Sequence, residues 1–484
     1  MMPTRSTPAR GGRGALVALA ALALAGCATL TDDAGFGSVA QTAKDRLGAD
    51  LAWARSPGER NAIDARVAEL LRTPLTADAA VQVALLNHRG LQASFDTLGI
   101  SDAERVQAGR LPNPGFSFGR LRQGAGTEID RGLHFNLARL VMLPALNRLE
   151  SRRHDQTRAD VTMRVLALAG QARSAYYTAL AAEETVRYTR QVQDAAEAGA
   201  DLARRQLQAG NWNKLQQARE QGFHADAALA LARAEQARSS AREQLIRVLG
   251  AWGGQTQFTL PERLPDLPKA PEDRPQVEQA AIAQRLDVQA ARLGTEQLAR
   301  NLGLVRATSF INVLEVGVVR NSFSDAPVER GYEATLELPL FDWGSARVAR
   351  AEATYLQAVN RTAQTAIDAR SEVREAYAAY RASFDIARHY RDEIVPLKKR
   401  ISEENLLRYN GMLIGVFELL ADARSQIASV NGYIEALRDF WLAQAALEMA
   451  LIGPVGPGAQ PMSGPMSGPM SGPMAAPDGA AGAH

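Results

Sequence analysis

The sequence predicts a mainly α-helical protein with a membrane β part, each chain supplying four β-strands and several very long coiled-coil helices. Three observations lead there. The order of its segments is written twice, at a spacing of roughly 200 residues. Each copy carries two stretches of apolar/polar alternation ahead of a helix-forming run in which proline is nearly absent. Within those runs the apolar residues recur in heptads.

Composition sets the bounds. Of 484 residues 46% are apolar and only 6% aromatic, with abundant Ala, which favours long helices over a sheet-rich globule. The formal net charge of +2 gives no basic surface of the kind that nucleic acid requires.

The first element is an export signal over 1–26. Arg5, Arg10 and Arg13 precede the apolar run 15-ALVALAALALA-25, too short to span a bilayer. The stretch 24-LAGC-27 looks like a bacterial lipobox, which makes Cys27 the lipid-attachment residue and the first residue of the mature chain. An ordinary buried cysteine is the competing reading; the place of Cys27 directly behind the apolar run argues against it. As the only cysteine, it leaves no disulfide and no cysteine-based metal site. A polar segment with modest helical signal follows over 27–75.

The duplicated unit occupies 76–254 and 276–453. In it 90-GLQA-93 matches 287-DVQA-290, and 132-GLHFNLARLVMLPALNRLESR-152 matches 331-GYEATLELPLFDWGSARVARA-351. Farther on, 206-QLQAGNWNKLQQA-218 matches 407-LRYNGMLIGVFEL-419, setting Gly210 opposite Gly411, and 246-IRVLG-250 matches 449-MALIG-453. The Pro-rich, charged stretch 255–275 reads as a linker. The tail 454–484, rich in Pro, Gly and Ser, has the composition of a disordered segment.

Each copy opens with a helical run and then two strands: 112–124 and 130–141 in the first, 308–322 and 331–341 in the second. Leu133, Phe135 and Leu137 alternate with His134 and Asn136; Leu336, Leu338 and Leu340 alternate with Thr335 and Glu337. About ten residues of such alternation is the length of a transmembrane β-strand, although a half-buried strand of a soluble sheet carries the same pattern.

The helices follow. No proline occurs between Pro144 and Pro261, and the first break comes near Gly210-Asn211-Trp212-Asn213. A helix over 145–208 is about 95 Å long. Its partner over 344–409 contains Pro396, where a kink is expected. The seam Val161, Val165, Leu168, Ala172, Ala175, Ala179, Ala182, Val186 steps by four and three. So do Val373, Tyr377, Tyr380, Phe384, Ala387 and, later, Leu420, Ala423, Ile427, Val430, Ile434, Leu437, Trp441. This spacing specifies coiled-coil packing, which a plain antiparallel bundle shares.

Four strands cannot close a membrane barrel, and open edges are not tolerated in lipid. Strands must therefore be pooled between copies: two chains give eight, three give twelve. A soluble sheet would instead need a cover for its apolar face, and the only helices on offer are rods leaving the strand ends.

With these features in hand, the chain resembles a TolC-family outer-membrane efflux factor of the lipoprotein type over nearly its whole mature length. The resemblance is carried by the duplicated strand–strand–helix unit, by the strand-to-helix passage 338-LPLFDWGSARVARAEA-353, and by 408-RYNGMLIGVFELLADARSQ-426, which is similar to the family's helix-tip segment. It implies a homotrimer with a twelve-stranded barrel, a coiled-coil periplasmic tunnel and a small equatorial domain, to which parts of 28–75, 255–275 and the residues after Gly453 are assigned. It also implies a periplasmic adaptor and an inner-membrane pump, of the RND type in the lipoprotein members, with the helix tips at Gly210 and Gly411 as adaptor contacts. Family members carry an acidic pair just past the tip glycine; Glu418 matches its first member, while Ala421 stands at the second with Asp422 adjacent. Glu418 and Asp422 are thus candidates for a ring at the periplasmic aperture, against the alternative of solvated helix charges.

The expected function is a passive duct in the outer membrane, not an enzyme. There is no phosphate-binding loop for an ATPase, no zinc-protease motif and no serine-hydrolase elbow, and the six histidines are scattered. No cofactor is called for. Met462, Met466, Met470 and Met474 recur every four residues in the tail, and their thioethers suit Cu(I); a repeat grown by slippage is the favoured alternative. Cargo is thus expected to be drugs or metal ions, with copper or silver as one possibility. A duct for type I protein secretion is the alternative, and a structural coiled-coil lipoprotein, which would leave the strands unexplained, stands behind it.

Overall fold

A computed structural model describes residues 30–123, 126–308, 314–324, 327–336 and 343–453. Cys27, the methionine tail, Glu337 and the passage from Leu338 to Asp342 lie outside the described residues.

Among the described residues, four short helices precede the first strand: α1 (Phe36–Leu47), α2 (Pro57–Leu70), α3 (Ala77–Asn87) and α4 (Arg89–Ala108). Their starts are written in side chains. Ser56 and Glu59 form a reciprocal capping box on α2, and the Thr76 side chain accepts from the Ala79 N–H on α3. Strands β1 (Gly115–Gln123) and β2 (Gly126–Asn136) form a hairpin that runs straight into α5 (Leu137–Gln208). The second strand thus ends five residues earlier than its alternation suggests. The Asn136 side chain accepts from the Arg139 N–H at 2.8 Å, and the Leu-, Ala- and Arg-rich residues behind it take the helical state. At 72 residues α5 is about 108 Å long. It passes through Pro144 unbroken.

Helix α6 (Lys214–Leu249) completes the first copy, and the second repeats its order: α7 (Val277–Gln284), α8 (Leu286–Thr308), β3 (Leu314–Phe323), β4 (Glu329–Leu336), α9 (Ser345–His389), α10 (Val395–Asn410) and α11 (Val416–Ala450). Between α9 and α10 lies a π turn at Tyr390–Ile394. Pro396, where a kink is expected, sits in the first turn of α10. It has no N–H to give to Asp392, and the widened turn lies where that register is lost.

The four strands form one antiparallel sheet in the order β1-β2-β3-β4. Its central pair, β2 with β3, joins the two copies of the unit: Leu133 lies opposite Val318 and Phe135 opposite Val316. The outer strands β1 and β4 have no partner on their free edges among the described residues.

Below the sheet, α5 packs along α6 and against α3, α4, α8 and α11, and α9 packs against α7, α8 and α11. The heptad seam of α5 is buried from Val161 to Val186, with only Ala182 partly exposed. An aromatic chain crosses between the copies: Tyr177 stacks on Trp441 at 5.3 Å, Trp441 meets Phe440 edge-on, and Phe440 meets Phe384 and Tyr380. The Pro-rich stretch 255–275 packs on this waist. Phe258, Leu264 and Leu267 are buried, Leu75 N–H donates to the Thr259 carbonyl, and Trp441 Nε1 donates to the Pro265 carbonyl at 3.0 Å.

The two copies close their helix returns alike. Asn87, at the α3–α4 junction, donates to the carbonyls of Leu249 and Gly250 at the end of α6. At the matching α7–α8 junction, Arg285 donates to the Ala450 carbonyl at the end of α11. These are C-terminal helix carbonyls that no intrahelical N–H can reach.

Candidate functional site

Two regions carry the chemistry: the helix tips and the faces of the sheet. At the first tip α5 ends at Gln208, Gly210 takes φ +77°, and Asn213 starts α6 with a capping box shared with Gln216. At the second tip Gly411 has φ −81°, and Met412 holds the left-handed position at φ +58°. The backbone bonds match: Asn211 N–H donates to Gln206, and Leu413 N–H donates to Arg408. Gly210 is therefore equivalent to Met412, one residue away from the pairing with Gly411 that the sequence suggests. On this register Asn213 corresponds to Gly415, which starts α11 with no side-chain cap. The second tip is the looser one, and it presents Met412 at 93% exposure with Leu413 beside it.

Glu418 is exposed in the first turn of α11. Asp422 is half-buried, and its carboxylate accepts from the Asn405 side chain on α10, tying the two helices of this hairpin together. Its counterpart in the first copy is Glu220, buried to 1% exposure. Both Glu220 oxygens are held at 2.8 Å by Arg424 of α11, whose guanidinium lies 4.2 Å over the Phe223 ring. This pair, missing from the sequence reading, bridges the two copies near their tips. The 202-residue offset between Glu220 and Asp422 was the available signal; nothing local marks Arg424 as its partner.

In the sheet, one face carries Phe116, Leu133, Val318 and Tyr332 in a single cross-strand row. All are solvent-exposed in the single chain, Tyr332 at 87% and Phe116 at 69%. The opposite face carries Glu128, Asp130, Glu315, Glu329 and Glu333 with His134 and Asn136, as the register requires. No helix of the described residues is long and apolar enough to cross a membrane. Among the described residues no three His, Cys, Asp or Glu side chains are grouped to hold a metal ion.

No family model matches the sequence, and no curated protein matches it. Solved structures do. CusC, described in terms of folding and transmembrane channel formation, superposes with a TM-score of 0.64 at 17% identity, over 78% of this chain and 92% of its own. The outer membrane protein VceC of Vibrio cholerae gives 0.65 at 14% identity, over 83% and 100%. The MtrE outer membrane channel of Neisseria gonorrhoeae gives 0.63 at 18%, over 77% and 88%. The chain has the fold of the TolC-like outer-membrane channels.

Proposed function

We propose that the chain is a TolC-family exit duct in the outer membrane, the last component of a tripartite efflux system. The observation that carries the reading is the sheet: among the described residues its apolar face has no cover, an acidic face lies behind it, and two edges are unpaired. In water that combination is a liability; in a barrel closed by copies the edges pair, the apolar face meets lipid and the acids line a wet lumen. Three copies give twelve strands, with the long helices continuing the lumen into the periplasm. The tips at Gly210 and Gly411, with Met412 and Leu413 exposed, are the surface offered to a periplasmic adaptor, and an RND-type pump in the inner membrane supplies the energy. Cys27 anchors the chain to outer-membrane lipid. Glu418 is the aperture carboxylate left in solvent, whereas Asp422 is engaged by Asn405. Cargo is a drug or a metal ion; Met462, Met466, Met470 and Met474 would offer soft thioether ligands to Cu(I).

The test of the duct is a set of cysteine pairs, one member on β1 and one on β4, in a Cys27→Ser background. Closure between copies predicts crosslinked dimers and trimers and stepwise conductance in planar bilayers. Crosslinks absent from every register, together with no conductance, would sink the proposal. For the cargo, a deletion strain is grown against copper, silver, zinc, dyes and antibiotics. Sensitivity confined to copper and silver assigns metal efflux, and sensitivity to dyes and antibiotics assigns drug efflux.

A further inference from the structure

We propose that a row of outward arginines on the sheet binds the phosphate groups of anionic lipid at the outer surface of the membrane. The inference rests on the duct reading above. One step beyond the row of Phe116, Leu133, Val318 and Tyr332, toward the hairpin ends, the register sets Arg131 opposite Arg320 and Arg320 opposite Arg330. Directly opposed side chains of an antiparallel sheet share a face, so these three lie side by side on the apolar face. On β1, Arg120 and Arg122 continue the same face beyond Phe118, which opposes Arg131.

Like charges placed directly opposite one another destabilise a sheet unless an anion lies between them. Among the described residues none supplies one: all five arginines are exposed, and none makes an ion pair with a described residue. Acids stand next to them in sequence, Asp130 before Arg131 and Glu329 before Arg330, but a strand turns adjacent residues to opposite faces. The pattern sorts charge by face, acids to one side and bases to the other.

The height of the row selects the anion. From Leu314, the first residue of β3, to Arg320 is about 20 Å of strand, and the apolar rows fill that span. The arginines therefore sit where the apolar band gives way to headgroups. A guanidinium fork fits a phosphate with two parallel hydrogen bonds. A lipid bearing phosphate also brings acyl chains to the apolar rows directly below, which a free anion does not. Lipid A phosphates of the outer leaflet are the committed occupant.

The test uses the full-length protein in detergent, as wild type, as the R131Q/R320Q/R330Q triple variant, and as a control triple variant of exposed helix arginines, R233Q/R361Q/R370Q. Lipid retained per protein is read by native mass spectrometry with bisphosphorylated lipid A, fully dephosphorylated lipid A, and inorganic phosphate as competitor. Wild type and control are expected to prefer the phosphorylated lipid by about 10- to 100-fold, and the strand triple to lose that preference. Equal retention of both lipids by wild type, or an undiminished preference in the strand triple, overturns the inference. Full displacement of lipid A by millimolar inorganic phosphate overturns it too, because the site would then be reading a free anion. Conductance in neutral phosphatidylcholine bilayers separates the two levels. Conductance by wild type and strand triple alike leaves the duct standing whatever the lipid result; a wild type that never inserts overturns the duct and this inference together.

Discussion

Asp160 on α5 shows how one residue sets a pH dependence. Burial pushes its carboxyl up to about 6, with Arg164 pulling in the opposite direction. A folded-state pKa above the ordinary value of 3.8 means the folded chain holds the proton more tightly. The stabilising contribution is complete below the unfolded value and is lost as the pH rises through about 6. Asp160→Asn is therefore expected to be more stable than wild type at pH 7.5, by about 1–2 kcal/mol after allowance for partial exposure, and to show no gain at pH 4. Thermal melts of both proteins across this range check it; a difference independent of pH would refute it. Arg285 is the opposite case. Burial works against its charge, but Asp287 and Glu372, at 2.6 and 2.8 Å, outweigh that and raise its pKa further. Arg285→Met leaves two carboxylates and the Ala450 carbonyl without their donor, a loss of about 3 kcal/mol that a denaturant titration will register.

At the scale of elements, the two helix tips differ in a way that local pattern hides. Heptads and strand alternation were legible because they follow periodicities of 3.5 and 2, which survive as long as one face is buried. The tip register was not: glycine marks a left-handed residue only where glycine is used, and the second tip uses Met412 instead. The early end of β2 escaped for a related reason, since an Asn cap is one hydrogen bond and 137-LARLV-141 satisfies either pattern. Met412→Gly should relieve the left-handed strain and stabilise the tip by about 0.5–1 kcal/mol, while Met412→Ala should not. Hydrogen exchange over 405–420 reads this directly, and an adaptor-binding assay should show both variants weakened if the thioether is part of the contact. The π turn gives a second check. Gly432 of α11 lies against Tyr390, and an added Cβ would stand 2.8 Å from Cε1 and Oη of its ring. Helix propensity alone makes Gly432→Ala stabilising by about 1 kcal/mol. Overpacking instead predicts a cost of about 1–3 kcal/mol, removed in the double variant with Tyr390→Ala.

The whole molecule is two copies of one unit stitched at three heights: β2 to β3 in the sheet, Tyr177 to Trp441 at the waist, and Glu220 to Arg424 near the tips. The first two stitches belong to continuous packed layers, and repetition in the sequence makes some such joint necessary. The third is an ion pair beside a small apolar cluster, where Ile427 of α11 packs with Val192, Ala196, Ala227 and Phe223, and the pair joins residues 204 apart through no pattern that either helix displays. Its energetics are asymmetric. Glu220 is wholly buried and Arg424 partly so, so removing the cation alone strands a buried carboxylate without its partner, whereas removing both charges leaves only a packing defect. Arg424→Leu is expected to cost about 2–4 kcal/mol, and Glu220→Leu with Arg424→Leu distinctly less. Because the waist and the sheet remain stitched, the loss should stay local. Limited proteolysis and hydrogen exchange should open residues 200–225 and 405–430, with the waist around Trp441 still protected. A single variant no worse than the double, or a loss of protection spread evenly along α5 and α11, would mean that the apolar seam around Ile427 holds the tips and that this ion pair adds nothing to it.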